Sequence, residues 1–312
     1  MKVLSLLSTL FMLGFTTLVF CQKPLSAGEH FADINGIKIH YYVGGDGPVC
    51  LFPSPGWGPS INGYRKSLKP FEKYFTMVWY DTRISGRSTG PADSMQYTTQ
   101  DFMNDMDSLR QYLKQKKVWI AGHSSGGFQV LNYGIHQGDK LNGIIALSAI
   151  AGKDSVYFSE SLKVTERRKN KPYYEKGYAL FSGKDTSNYS AMEAMKLIIP
   201  FYFHDEKNIP IFLAMNDGAL SEKAGKYTSL SKFGSEYLFP DLSKIKVPTL
   251  VVVGDDDFIC DQISQSDRIT QNIPNATEIV VKDAGHFCWI EQPEQFFGDV
   301  EKWFIKQKLS SH

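Results

Sequence analysis

Between Val118 and Gln137 the chain reads VWIAGHSSGGFQVLNYGIHQ, and no other stretch restricts the available folds as strongly. Val118 to Ala121 form a short apolar run suited to a buried strand, and Phe128, Leu131 and Ile135 recur at helical spacing. Between them lies Gly122-His123-Ser124-Ser125-Gly126, a Gly-x-Ser-x-Gly arrangement. Glycine and serine are common in turns, so the pentapeptide alone decides little. Its place between strand and helix decides more, because a serine on such an elbow is held out at the carboxyl end of a sheet. The glycines suit a turn too tight for neighbouring side chains. The positive end of the following helix favours negative charge developing nearby.

The remaining pattern fits that context. FADINGIKIHYYVGGDGP alternates around Asn35-Gly36, with Phe31, Ile34, Ile37, Ile39 and Tyr41 as its apolar residues, which predicts an antiparallel hairpin. VCLF and FTMVWY read as buried strands, the first breaking into the loop PSPGWG. TTQDFMNDMDSLRQYLKQKK predicts a helix with Phe102, Met106, Leu109 and Leu113 on one face and Thr98 or Thr99 as its cap. LNGIIALSAI, VPTLVVVGDDD and ATEIVVKDAGH supply three more strands, and PEQFFGDVEKWFIKQ a final helix. Strands alternating with helices predict an α/β fold with a mostly parallel central sheet flanked by helices. Residues 153–240 are rich in Lys, Tyr, Phe and Ser without strand-like runs, and predict an inserted helical lid. The core is thereby divided into 22–152 and 241–312.

The first 21 residues stand apart. Lys2 precedes an apolar run from Val3 to Phe20 that ends at Cys21, which reads as a signal peptide removed from a secreted or periplasmic protein. An uncleaved anchor and a lipid-modified Cys21 are the alternatives. Removal leaves Cys50, Cys260 and Cys288, an odd count whose spacing matches no zinc pattern. They are expected as buried free thiols, with a Cys260–Cys288 pair left open. A net charge of +1 with 21% charged residues offers no excess for nucleic acid or an anionic membrane. The expected partner is a small-molecule or short-peptide substrate, with no stable membrane insertion after leader removal, no metal and no organic cofactor.

A serine hydroxyl needs a base to become nucleophilic. His286, in the Gly-containing loop of DAGHFCWIEQPEQF after a strand, is the candidate, since no other histidine has that context. Asp257, third after Gly254 in VVVGDDDFICD, is the candidate orienting acid, while Asp255 and Asp256 read as solvated or loop-capping. The order Ser124, Asp257, His286 is the one this fold uses. An oxyanion needs two backbone N–H donors. Ser125 follows the nucleophile, and Ser54 is the choice from the PSPGWG loop because its proline neighbours have no N–H. Trp57 in the same loop is a candidate substrate contact.

With these residues in view, the chain resembles the α/β-hydrolase superfamily and, within it, the proline iminopeptidase-like group. GHSSGG is similar to that group's nucleophile elbow, YDTRISGRS to its Asp-Gln-Arg-Gly-x-Gly-Arg-Ser loop, and LFPSPGW to its His-Gly-Gly-Pro-Gly loop. The segments around Asp257 and His286 match as well, so the resemblance covers residues 30–310 apart from the lid. It implies a serine hydrolase acting on a small ester or amide through an acyl-enzyme. Three positions depart: Phe52 and Pro53 replace His-Gly, and Ile84 replaces a glycine. The group's glutamates that read a free amine have no counterpart in LIIPFYF, although Asp205 and Glu206 follow. A carboxylesterase or lactonase with an apolar acyl pocket is therefore the alternative, and a hydrolase-fold ligand-binding receptor a third. An epoxide or haloalkane hydrolase would need a carboxylate where Ser124 stands.

Overall fold

The computed structural model describes residues 25–216 and 220–311. The expected leader with Cys21, and the terminal His312, lie outside the described residues. Strands β1 (Gly28–Ile34) and β2 (Ile37–Gly44) form the predicted hairpin. Asn35 and Gly36 join them at φ of 50° and 78°, the left-handed pair that a two-residue hairpin turn demands. Of the apolar residues that signalled this hairpin, Phe31 alone faces outward, under the Arg87 guanidinium.

Six further strands complete one sheet: β3 (Val49–Pro53), β4 (Thr76–Tyr80), β5 (Val118–His123), β6 (Leu141–Leu147), β7 (Thr249–Gly254) and β8 (Ala276–Val281). Their order is β1-β2-β4-β3-β5-β6-β7-β8. β2 meets β4 antiparallel, and every pairing from β4 to β8 is parallel. β3, β5 and β7 are buried along their whole length, which is why they read as continuous apolar runs rather than alternations.

Helices cover both faces. On one side pack α2 (Thr99–Tyr112), α3 (Ser125–Gln137) and α9 (Asp267–Asn272). On the other pack α1 (Asn62–Ser67) and α11 (Pro293–Lys306), with the short α10 (Cys288–Glu291) leading into α11. Phe102, Met106, Leu109 and Leu113 are all buried, as their spacing requires, and Thr98 closes a capping box with Asp101 at the start of α2. Between β6 and β7 come α4 (Ser155–Glu166), α5 (Tyr174–Phe181), α6 (Ala191–Ile198), α7 (Ile209–Met215) and α8 (Glu222–Leu230). The chain leaves the sheet after Leu147 and rejoins beside the same strand, where Ile144 faces Thr249. Because β5 to β8 are parallel, the loops after their carboxyl ends gather at one edge. No described helix is long and apolar enough to cross a membrane.

Candidate active site

Ser124 sits between β5 and α3 with φ 57° and ψ −119°, a conformation that non-glycine residues avoid and that only a tightly determined surround maintains. Its N–H donates to Leu147 O at 3.0 Å, and Phe128 N–H donates to Ser124 O at 3.0 Å. A Cβ on Gly122 would lie 2.3 Å from Gly126 O, and one on Gly127 2.5 Å from the Ala149 Cβ. Gly126 is less confined, since a Cβ there would meet Pro53 alone, its O at 3.5 Å and its Cγ at 3.8 Å. The tightness expected of the motif's two glycines rests instead on Gly122 and Gly127.

His286 lies in the loop after β8 with Nδ1 2.8 Å from Asp257 Oδ2, which leaves Nε2 as its free ring nitrogen. The loop is held at several points. His286 N–H donates to Tyr202 O at 2.8 Å, and His286 O lies 2.9 Å from His123 Nε2. The Tyr202 ring stacks on the imidazole at 5.1 Å. Gly285 packs so closely that a Cβ would be 2.3 Å from Tyr202 O. Glu291 accepts from Gly285 N at 2.6 Å and from Asp205 N at 2.9 Å, tying this loop to the segment before α7.

Asp257 is buried, and its Oδ1 accepts from the N–H groups of Ile259 and Cys260 at 3.0 Å each. Burial pushes its carboxyl up, but the adjacent His286 and those donors outweigh it and hold the group below the usual carboxylate range. His123 is the reverse case: burial, then the neighbouring His286, drives its imidazole well below the ordinary value. It is therefore neutral, with Nε2 donating to His286 O and Nδ1 accepting from the Tyr64 hydroxyl at 2.9 Å.

Of the other candidates, Ser54 and Asp256 depart from expectation. Ser54 is not available as an oxyanion donor: its N–H is bonded to Tyr80 O at 2.9 Å, and its side chain turns to Thr82. Ser125 opens α3, so its N–H belongs to the first helical turn, which has no carbonyl one turn back to receive it. Trp57 lines the cavity described below. Asp256 is neither solvated nor a loop cap. It is buried against Arg168 at 2.8 Å and also meets Arg167 and His204 at 3.0 and 3.1 Å. Asp255 does cap the loop, accepting from Ala284 N–H at 3.4 Å, and approaches Lys282 at 3.5 Å. Cys50, Cys260 and Cys288 are buried free thiols, so Cys260 and Cys288 are not paired. Ile84, standing where a glycine was expected, keeps the glycine-like conformation at φ 59°.

Ser124 and His286 both open onto a cavity of about 420 Å³, walled by both core and insertion. Met192, Met195, Tyr202 and Phe212 come from the segment between β6 and β7, and Phe287 and Trp289 from the histidine loop. Among the described lining residues none is Asp, Glu, Lys or Arg. Asp205 and Glu206 pair instead with Lys207 and Lys171. One trio of described side chains has the donor chemistry for a metal: Asp257, Cys260 and His286, whose ligand atoms lie within 4.8 Å of one another.

Comparison with known proteins agrees with this architecture. The model of the alpha/beta hydrolase fold family matches residues 48–293. A proline iminopeptidase from Pestalotiopsis fici is 26% identical over 298 residues, covering 90% of this chain and 98% of the relative. A 3-oxoadipate enol-lactonase from Acinetobacter baylyi is 22% identical, covering 87% and 96%. Among solved structures, an alpha/beta fold family hydrolase from Bacillus anthracis superposes with a TM-score of 0.72 at 21% identity, over 88% of this chain and 98% of that one.

Proposed function

The chain belongs to the α/β-hydrolase family and is a hydrolase of proline iminopeptidase-like sequence, and we propose that it cleaves an uncharged ester with an apolar acyl group through a Ser124 acyl-enzyme. Ser124 Oγ attacks the carbonyl carbon while His286 Nε2 takes its proton. Asp257 holds Nδ1–H and balances the imidazolium that forms. The oxyanion is received by Ser125 N–H and a second donor from the loop after β3. With Ser54 N–H committed to Tyr80, and Gly58 N–H turned back on Pro55 O, that donor falls to Gly56 or Trp57. Collapse breaks the bond to the leaving alcohol, which takes the proton from His286. Water, deprotonated by the same nitrogen, then releases the acid and restores Ser124.

The absence of an ionic side chain among the described cavity-lining residues carries the choice of substrate. A prolyl peptide presents a free cationic amine, and burying that charge without a partner costs on the order of several kcal/mol. An apolar acyl chain loses nothing there and gains from leaving water. The segment from 153 to 240 acts in this reading as a lid supplying the acyl wall. Residues 1–21 act as a leader cleaved on export, to be checked by amino-terminal sequencing of the mature chain.

A parallel panel of short- and long-chain aryl esters and aminoacyl arylamides, prolyl included, tests the substrate class, with Ser124→Ala as control. Ester turnover without prolyl amide turnover supports the proposal. Selective cleavage of the prolyl amide overturns it in favour of a peptidase.

A further inference from the structure

Cys260 is a buried thiol that the hydrolytic cycle does not use, yet it sits against the reacting groups. Its N–H caps Asp257 Oδ1 at 3.0 Å, and its sulfur lies within 4.8 Å of the ligand atoms of Asp257 and His286. We propose that Asp257, Cys260 and His286 form a binding site for a thiophilic divalent ion such as zinc or cadmium, and that its occupation excludes hydrolysis.

The donor set is one nitrogen, one sulfur and one oxygen, the mixture that zinc-like ions accept in tetrahedral sites with one open position. Bond lengths of about 2.0–2.3 Å put neighbouring donors of such a site roughly 3.5 Å apart. Asp257 Oδ2 and His286 Nδ1 are already 2.8 Å apart, and all three donor atoms lie within 4.8 Å of one another. Closing on an ion therefore takes movement of about an ångström, mainly by the sulfur. The supporting bonds are present before any ion arrives. Asp257 is fixed by two N–H groups, and His286 is held through its N–H and its carbonyl.

The route in begins at the cavity, whose wall includes His286, and passes behind it to the buried Asp257 and Cys260, where a water takes the fourth position. Charge also balances. The ion brings two positive charges, Asp257 supplies one negative charge, and Cys260 supplies the other after its proton passes to solvent. A metal–sulfur bond replaces the S–H bond, a metal–nitrogen bond replaces the His286 Nδ1–H bond as that proton moves to Nε2, and nothing is oxidised or reduced. A bound ion thereby keeps a proton on Nε2, the nitrogen that must take the Ser124 proton. That inhibitory consequence rests on the function proposed above, whereas the binding itself does not.

Titration of the whole chain with cadmium in chelator-free buffer, followed by the thiolate-to-metal charge-transfer absorption in the ultraviolet, separates the two. Wild type, Ser124→Ala and Cys288→Ala should each develop the band to one ion per chain, and Cys260→Ala should not. Ester hydrolysis by wild type should fall as the band rises and return with EDTA. Measured against each variant's own metal-free rate, Cys260→Ala and Cys260→Ser should raise the half-inhibiting concentration at least about tenfold. A band that survives in Cys260→Ala, or no band in wild type, overturns the proposal. A chain that shows the band in Ser124→Ala but hydrolyses no ester retains the ion site and loses the hydrolase reading.

Discussion

Replacing Asp257 with Asn isolates what the buried carboxylate does, because the structure separates its two oxygens by task. Oδ1 accepts from the N–H groups of Ile259 and Cys260, and Oδ2 faces His286 Nδ1 at 2.8 Å. Asparagine has the same shape and keeps a carbonyl oxygen for the two backbone donors, so the loop after β7 survives. Its amide nitrogen must then face Nδ1, which turns Nδ1 into an acceptor and moves the ring proton to Nε2. Nε2 can no longer take the Ser124 proton, and the imidazolium loses its counter-charge. The expected loss is about 10,000-fold in kcat, equal to roughly 5.5 kcal/mol of transition-state stabilisation. Asp257 does not line the cavity, so KM should hold within about twofold. Folding should lose only a charge-assisted hydrogen bond, about 1.5–3 kcal/mol. The assay is steady-state hydrolysis of an aryl ester beside thermal unfolding of both proteins. A variant that keeps more than a tenth of wild-type kcat, or whose loss appears in KM alone, refutes the role given to Asp257.

Three further outcomes follow from the geometry. Gly122→Ala drives a Cβ to 2.3 Å from the Gly126 carbonyl, which only a backbone shift can relieve, so Tm should drop by several degrees and hydrolysis should collapse with it; unchanged Tm and rate would contradict the packing of the elbow. Arg168→Met strips Asp256 of its buried partner and should cost about 3–5 kcal/mol in denaturant unfolding; a cost under about 1 kcal/mol would show that Arg167 and His204 suffice for the Asp256 charge and contradict the role given to Arg168. His123, neutral in the fold, gains a proton on unfolding once the pH passes below about 6.5, so acidification favours the unfolded chain by up to about 1.4 kcal/mol per pH unit from this group. His123→Phe should flatten the decline in stability between pH 6.5 and 5, and an equally steep decline in both proteins would contradict burial as its cause.

What the sequence revealed and what it hid divide along physical lines. The elbow, the Asp257 loop and the His286 loop each follow a strand within a few residues, so local pattern and chain order locate them. The covered face of α2 was legible for the same reason, since Phe102, Met106, Leu109 and Leu113 carry their own period. Ser54 failed because the freedom of its N–H depends on β3 lying beside β4, with Pro53 opposite Tyr80, and no local feature of PSPGWG reports that register. Asp256 misled because its partner Arg168 is 88 residues away. The brace on the histidine loop rests on Tyr202 and His123, both far away in the chain, and on Glu291, which is near in sequence but also holds Asp205, and no local pattern reports it. Ile84 holds a left-handed conformation that suits glycine best and that a β-branched side chain adopts only under constraint.

The central claim is that Ser124 is a hydroxyl nucleophile activated by His286 at the edge of an apolar cavity. Incubation with an alkyl fluorophosphonate, followed by peptide mass analysis, measures this without knowledge of the substrate. A single adduct on the peptide carrying Ser124, absent from Ser124→Ala and strongly reduced in His286→Ala, is the predicted result. An unlabelled wild-type chain, or an adduct that persists in Ser124→Ala, would contradict it.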